Sequence, residues 1–199
     1  MNKNAFIQMW NQRYSEQPYA YGTAPNAFIK ACLQTQKPGK ILFAAEGEGR
    51  NAVYAAQQGW EVEAFDLSAA GRDKALVLAK QNKCEITYTV SDALSYQGGP
   101  YDAAAFCYFH TPVKVEDCYG HLISLLHPNG VVVFEGFSVK NIGMGSGGPQ
   151  KANMCFTVEG VSDLLKDLQS IEVWEEKVVL NEGKYHQGEA WVIRAQGVK

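Results

Sequence analysis

The stretch ILFAAEGEGRN, residues 41–51, decides the fold class of this 199-residue chain. Its first five residues are all apolar, which is typical of a parallel strand buried on both faces of a sheet. Gly47 and Gly49 then interrupt the strand, and residues 50–58 have a helical pattern that ends at Gly59. A strand, a glycine turn and a helix in this order predict the first βα unit of an α/β domain.

The same alternation continues along the chain. Short apolar or β-branched runs predict further strands at residues 60–65, 85–90, 101–108 and 131–134. Ser68 is a predicted N-cap for the helix after the second strand. This order predicts an open, mainly parallel sheet with helices on both faces. Two late segments, 171–180 and 190–195, predict an antiparallel edge, joined by a turn that contains Gly183 and Gly188.

Apolar residues at helical spacing predict the remaining helices. An N-terminal helix is indicated by Phe6, Met9, Trp10 and Arg13, and a second helix by residues 25–33. Later helices are indicated by Val115, Tyr119, Leu122 and Leu126, and by an apolar stripe that Thr157 precedes as a cap. No internal repeat or linker divides the chain, so one domain over residues 1–199 is predicted.

Composition narrows the range of partners. The net charge is −3 and the isoelectric point is near 5.8, so nucleic acid and anionic membranes are not expected as primary partners. No apolar run approaches the ~20 residues of a membrane-spanning helix, and the N-terminal residues lack a signal-peptide pattern. We therefore expect a cytoplasmic protein, as a monomer or a homodimer.

The cysteines and histidines give no metal-binding pattern. Five cysteines occur without CxxC spacing, which favours free thiols in a reducing compartment. Four histidines occur without HxxxH spacing, so no metal site is predicted.

Acidic residues follow the second and third predicted strands. Asp66 lies about twenty residues beyond the glycine turn, where adenosine-binding folds place a carboxylate for the ribose hydroxyls. Asp92 ends the third strand, where a carboxylate can accept a hydrogen bond from the adenine amine. Free N–H groups at the start of the helix over residues 50–58 can hold a ligand carboxylate. For each residue taken singly, the alternative to ligand binding is a structural role in a turn or a helix cap. Together the residues predict an adenosine-containing ligand.

Several segments carry a resemblance to a known family. They are WNQRY (10–14), YGTAPN (21–26), EGEGRNAV (46–53), FDLS (65–68), LHPNG (126–130), EGF (135–137) and GSGGP (145–149). Over nearly its whole length the chain resembles the small class I methyltransferases of the tellurite-resistance (TehB-like) and thiopurine-methyltransferase-like group. The resemblance implies a Rossmann-like, seven-stranded sheet with an antiparallel last strand, and S-adenosylmethionine (SAM) as cofactor, with S-adenosylhomocysteine (SAH) as product.

The resemblance also implies roles for individual residues. The cofactor-binding residues that it implies are Arg13, Tyr21, Glu46, Gly47, Gly49, Asn51, Asp66, Leu67, Asp92, Ala93 and Tyr108. Residues 1–36 would form a helical lid over the cofactor, with Arg13 paired to its carboxylate. Many family members have Asp at the position of Phe43 and Gly at that of Ala45. Glu46 is therefore a candidate for binding the ammonium group of SAM.

The predicted acceptor is a small molecule, such as a thiol or a metalloid oxyanion, methylated by in-line displacement. His110, just after the fourth strand, and His186, in the predicted turn near the end of the chain, are the candidate catalytic residues. The alternative for each histidine is that it is an ordinary loop residue without a catalytic role. The glycine-rich loop over residues 143–149 is expected to border the acceptor site, as a lid, an anion-binding loop or a simple connector.

Two other functions stay open at this stage. Gly47, Gly49 and Ala52 satisfy the GxGxx(G/A) pattern of an NAD-dependent oxidoreductase, and Asp66 suits that cofactor equally well. The altered strand end around Ala45 also fits a SAM-binding sensor without catalytic activity.

Overall fold

The computed structural model describes residues 3–110 and 118–199, and its centre is a twisted sheet. The described strands are β1 (Lys40–Ala44), β2 (Glu61–Asp66), β3 (Thr87–Val90), β4 (Tyr101–Cys107), β5 (Leu126–Phe137), β6 (Ser170–Glu182) and β7 (His186–Val198). Their order in the sheet is β3-β2-β1-β4-β5-β7-β6. Strands β1 to β5 are parallel, and β7 is antiparallel to both β5 and β6. The predicted mainly parallel, seven-stranded sheet with an antiparallel edge is confirmed.

Helices cover both faces of this sheet. The described α-helices are α1 (Lys3–Tyr14), α2 (Ala27–Gln34), α3 (Arg50–Gln57), α4 (Ala69–Gln81), α5 (Cys118–Ser124) and α6 (Val158–Leu164), with 3₁₀ turns at Val139–Asn141 and Ala152–Met154. Successive β1 side chains alternate between the two faces: Ile41 and Phe43 pack with α2 and α3, and Leu42 packs with α5 and α6. A continuous apolar run is thus what a strand between two helical layers requires.

The predicted helix N-caps are confirmed. The hydroxyl of Ser68 accepts the Gly71 N–H at 3.0 Å, and that of Thr157 accepts the Gly160 N–H at 3.0 Å. Asn26 caps α2 in the same way, and no cap was predicted for this helix.

Val115, which we placed in a helical stripe, lies outside the described residues. Among the described helices, none has the length and apolar character needed to cross a bilayer.

The C-terminal hairpin is longer than predicted. Strands β6 and β7 have 13 residues each and pair from Ser170↔Val198 to Glu182↔His186. Gly188 therefore lies inside β7, and the turn consists of residues 183–185. As an edge strand, β6 is exposed along much of its length. The larger difference is in β7, which begins four residues before the predicted segment, because Gln187, Gly188 and Glu189 give no apolar signal.

Residues 127–130, whose sequence His-Pro-Asn-Gly is typical of a turn before the strand predicted at 131–134, are another correction. These residues belong to β5, where the pairing with β4 shifts between Tyr101↔Leu126 and Ala103↔Val131. Asn129 has a positive φ of 67° there. The turn residues thus form an irregularity inside the strand, and Leu126 begins the strand and does not extend the helical stripe.

Candidate functional site

A cavity of about 830 Å³ opens at the carboxyl ends of the parallel strands. One residue at or just after the end of each of the first five strands lines it: Glu46, Asp66, Asp92, Tyr108 and Phe137. This edge is where open α/β sheets bind their ligands, and the volume suits a small-molecule site. The structure thus brings residues from five separate segments of the chain to one cavity.

The N-terminal segment forms one wall of the cavity. The described residues of this segment that line it are Lys3, Phe6, Met9, Trp10, Arg13, Tyr14 and Tyr21. Asn11 fastens α1 to α4, since its side-chain oxygen accepts hydrogen bonds from the Ser68 hydroxyl at 2.7 Å and the Ala70 N–H at 3.2 Å. Glu48 holds the following loop by accepting the Ala20 N–H at 2.7 Å. The predicted lid residues are therefore placed at the cavity.

Glu46 occupies the start of α3. One carboxylate oxygen accepts the N–H groups of Asn51 at 2.7 Å and Ala52 at 2.8 Å, and the other accepts the Asn51 amide at 3.3 Å. We predicted that these N–H groups hold a ligand carboxylate, and that prediction is wrong because the chain supplies its own. Burial raises the pKa of Glu46 to about 7. An acidic group that lines the cavity and ionises near neutrality is suited to a cationic partner.

Asp66 is held rigidly at the end of β2. Its two carboxylate oxygens accept the N–H groups of Gly47 at 3.1 Å and Ser68 at 2.8 Å, and burial raises its pKa to about 6. Each oxygen retains a further lone pair for a ligand hydroxyl. Leu67 lines the cavity beside it.

Asp92 differs from Asp66 in its environment. It forms an ion pair with Lys3 at 2.6 Å and accepts the Ser95 N–H at 2.8 Å. The hydrogen bond from Lys3 lowers the pKa of Asp92 to about 2, so this carboxylate is ionised at neutral pH. Ala93 lines the cavity next to it.

The two glycines of the turn have a packing role. The described lining of the cavity includes neither Gly47 nor Gly49, although the resemblance placed both against the methionine moiety. A Cβ on Gly47 would lie 2.6 Å from the Tyr14 hydroxyl, and one on Gly49 would lie 2.5 Å from the Cβ of Ala75. Both glycines have positive φ. They allow the turn to form and allow α3 to approach α4.

Aromatic side chains enclose the end of the cavity near β5 and β7. The His186 ring lies 4.4 Å from Tyr21, 4.6 Å from Tyr108 and 5.0 Å from Phe137, between ring centroids. Tyr108 has a positive φ of 54°, a strained conformation for a residue with a side chain. Its hydroxyl is buried, and burial and the nearby Glu135 carboxylate raise its pKa. This end of the cavity is mostly apolar.

Arg13 adds a positive charge to this end. It donates to the Tyr21 hydroxyl at 2.9 Å, and its guanidinium lies 5.0 Å from the Trp10 ring centroid and 4.6 Å from that of Tyr185. Within residues 3–110 and 118–199 it has no carboxylate in ion-pair distance. An arginine held by aromatic rings and lacking an anion is suited to a ligand carboxylate.

His110 does not have the geometry of a base. Its Nδ1 lies 2.7 Å from the carbonyl oxygen of Met154, and its Nε2 accepts the Phe137 N–H at 3.2 Å. Burial lowers the pKa of His110 to about 4. Both ring nitrogens are used within the protein, so His110 connects three segments and is not available to accept a proton from a substrate.

His186 is the first residue of β7 and is buried, not part of a turn. Its Nδ1 lies 3.3 Å from Glu182, which also accepts hydrogen bonds from Arg50 at 2.9 Å and Asn26 at 3.0 Å. Sequence reasoning missed Glu182 and Arg50, which are 132 residues apart. No local pattern pairs them, because only the sheet order brings the hairpin beside the start of α3.

The fold is the Rossmann-like fold of class I methyltransferases. A chain studied for the conversion of a disulfide bond into a thioacetal group during echinomycin biosynthesis matches at a TM-score of 0.78 and 15% identity, over 98% of this chain and 91% of that one. TehB from Haemophilus influenzae matches at 0.69 and 12% identity, over 97% of this chain and 66% of that one.

NodS from Bradyrhizobium japonicum, an N-methyltransferase in complex with SAH, matches at a TM-score of 0.68 and 11% identity, over 97% of both chains. No protein-family model matches the sequence, and no curated protein matches it either. The likeness to TehB agrees, at the level of the fold, with the resemblance found in the sequence.

Proposed function

We propose that this protein is a SAM-dependent methyltransferase that acts on a small molecule. The observation that carries the proposal is the placement of Glu46, Asp66 and Asp92 at three successive strand ends around one cavity. Solved structures with this fold include methyltransferases that hold SAH, which supports the same cofactor here. A cytoplasmic location and a monomeric or dimeric state are part of this proposal.

The residues of the cavity fit the cofactor. Asp66 and Leu67 would hold the ribose, and Asp92 and Ala93 the adenine. Glu46 with Asn51 would face the ammonium group, while Arg13 with Tyr21 would bind the carboxylate. Among the described residues, Glu46 and Asp66 form no ion pair and Asp92 pairs with Lys3, so a positively charged ligand with hydroxyl groups would complete the site.

The chain would act mainly by position and by exclusion of water. SAM supplies the methyl group on a sulfonium, so the protein needs little covalent chemistry of its own. Tyr108, Phe137 and His186 surround the acceptor end with rings, which would hold the nucleophile in line with the methyl group. Aromatic faces also favour the positive charge of a sulfonium.

Titration calorimetry tests the proposal. SAH is expected to bind one site per chain with micromolar affinity or better, and NADH under the same conditions is expected not to bind. Transfer of radioactive methyl from SAM to thiols, phenols or metalloid oxyanions then separates an enzyme from a sensor. Binding of NADH without SAH would contradict the proposal and favour an oxidoreductase.

Binding is expected to release protons near neutral pH. Glu46 has a pKa of about 7 in the free protein, so about half of the molecules carry this proton at pH 7. A ligand ammonium beside the carboxylate lowers its pKa, so the proton leaves on binding. Calorimetry at pH 7 in buffers of different ionisation enthalpy would show up to about half a proton released.

The variant Glu46→Gln provides the control, because it removes the ionisable group and retains the size of the side chain. Proton release at pH 7 is expected to fall towards zero in this variant. Release that is the same in both proteins would mean that Glu46 does not face the ammonium group.

A further inference from the structure

We propose that His186 accepts a proton from the methyl acceptor and that Glu182 and Arg50 position it for this role. The acceptor would then enter the site with a proton on its nucleophilic atom, and not as a preformed anion. This inference rests on the proposed function and adds to it the base, its positioning residues and the protonation state of the substrate.

The hydrogen bonds of Glu182 determine which nitrogen of His186 carries the proton. Arg50 donates to one carboxylate oxygen at 2.9 Å, and Asn26 donates to the other at 3.0 Å. Although burial alone raises the pKa of Glu182, His186 and Arg50 lower it to about 2. The carboxylate is therefore ionised and only accepts. His186 must donate from Nδ1, 3.3 Å away, which leaves the lone pair on Nε2.

Nε2 is the nitrogen that remains free. It has no hydrogen-bond partner within the described chain, and His186 is 5% exposed and lines the cavity. The rings of Tyr21, Tyr108 and Phe137 surround this imidazole. One hydrogen-bond acceptor thus lies in an aromatic environment. A small molecule with an X–H nucleophile would donate to it.

The charges around His186 keep it neutral. The ionisable groups that face it are Glu182 of β6, Arg50 of α3, Arg13 of α1, and His110, Tyr21, Tyr108 and Tyr185. Burial lowers the pKa of His186, Glu182 opposes this, and the two arginines lower the pKa further. The imidazole is therefore a free base at pH 7, as a proton acceptor must be.

The reaction balances with these groups alone. The nucleophilic atom X forms a bond to the methyl carbon while the bond between that carbon and sulfur breaks, and the electron pair of the broken bond stays on sulfur. The proton on X moves to Nε2 of His186, and Glu182 stabilises the resulting imidazolium. The proton then passes to solvent. The sum is SAM plus HX giving SAH, CH₃X and a proton.

Nitrogen NMR of the histidine rings tests the geometry without any substrate. In the free protein at pH 7, His186 is expected to be the neutral tautomer with the proton on Nδ1. In Glu182→Gln the tautomers are expected to mix, because the ionised acceptor is lost. A parent protein with the proton on Nε2 would overturn the proposal.

Kinetics test the chemical role. The probes are 2-mercaptoethanol, catechol and ethanolamine. For each probe that the parent methylates, kcat is expected to rise with pH up to the pKa of His186 and then level. His186→Asn is expected to lower kcat about 100-fold and to remove this rise, with KM changed little. Glu182→Gln is expected to lower kcat about 10-fold and to shift the rise. A parent that methylates none of these probes, or a His186→Asn variant that keeps both kcat and the rise, would overturn the proposal.

Two controls separate this inference from the proposed function. Glu189→Gln changes an exposed residue of the same hairpin, paired with Lys177, and is expected to behave as the parent. His186→Asn is expected to bind SAH still, with a small loss of affinity because His186 contacts Tyr21, since Asp66, Asp92 and Glu46 are unchanged. A parent that does not bind SAH would refute the proposed function itself, whatever the tautomer of His186.

Discussion

Asp66→Asn is expected to weaken the binding of SAH about 100-fold. The carboxylate has two lone pairs left after it accepts the N–H groups of Gly47 and Ser68, one on each oxygen. The amide removes the charge and turns one acceptor into a donor. Hydrogen bonds to a charged group contribute about 1.5–3 kcal/mol each, and about 1.4 kcal/mol corresponds to a factor of ten. Losing one hydrogen bond to the ligand and weakening the other therefore lowers the affinity for SAH about 100-fold.

Calorimetry with SAH measures this effect, and urea unfolding checks that the variant is folded. Asp73→Asn is the matched control, because Asp73 is an exposed residue of α4 whose partner in the described part of the chain is the adjacent Arg72. It is expected to leave the affinity unchanged. Equal affinities for the parent and Asp66→Asn would show that no ribose binds at the end of β2.

Gly49→Ala is expected to lower the free energy of unfolding by about 3 kcal/mol. About 1 kcal/mol arises from the positive φ of 87°, which a residue with a Cβ adopts only with strain. The rest, about 2 kcal/mol, arises because the new Cβ would lie 2.5 Å from the Cβ of Ala75 and 2.9 Å from its Cα. Helix α3 would have to move away from α4.

Gly59→Ala separates the two causes. Gly59 has a similar φ of 90°, but a Cβ there would meet no atom within 4 Å. This variant is expected to lose only about 1 kcal/mol. Urea unfolding of both variants gives the comparison. Equal losses would mean that the helices do not pack closely at Gly49 and that its conformation alone requires glycine.

The cofactor end of the cavity was largely predictable from the sequence. A continuous apolar strand followed by glycines, and acidic residues after the next two strands, are local signals. The topology of a parallel sheet brings these strand ends to one edge, so Asp66 and Asp92 were expected near each other. The sequence made Glu46 a candidate for the ammonium group. It did not predict that the Glu46 carboxylate turns back to the start of α3, because only the turn geometry shows this.

The acceptor end was predicted less well. His110 follows a predicted strand and His186 lies in a predicted turn, and both were candidate catalytic residues. The structure distinguishes them by their partners. His110 uses both nitrogens on backbone groups, whereas His186 has Glu182 at Nδ1 and no partner at Nε2 among the described residues. That difference depends on residues distant in the chain.

The sequence by itself determined the order of strands and helices, the mainly parallel sheet and the edge at which the cavity lies. These follow from periodicity, glycine positions and caps, which act over a few residues. Only the tertiary structure decided the register of the long hairpin, the packing role of Gly49 and the buried group of Arg50, Glu182 and His186. Each of these depends on contacts between distant segments. The order of strands in the sheet, and not the local sequence, determines which side chain pairs with a buried charge.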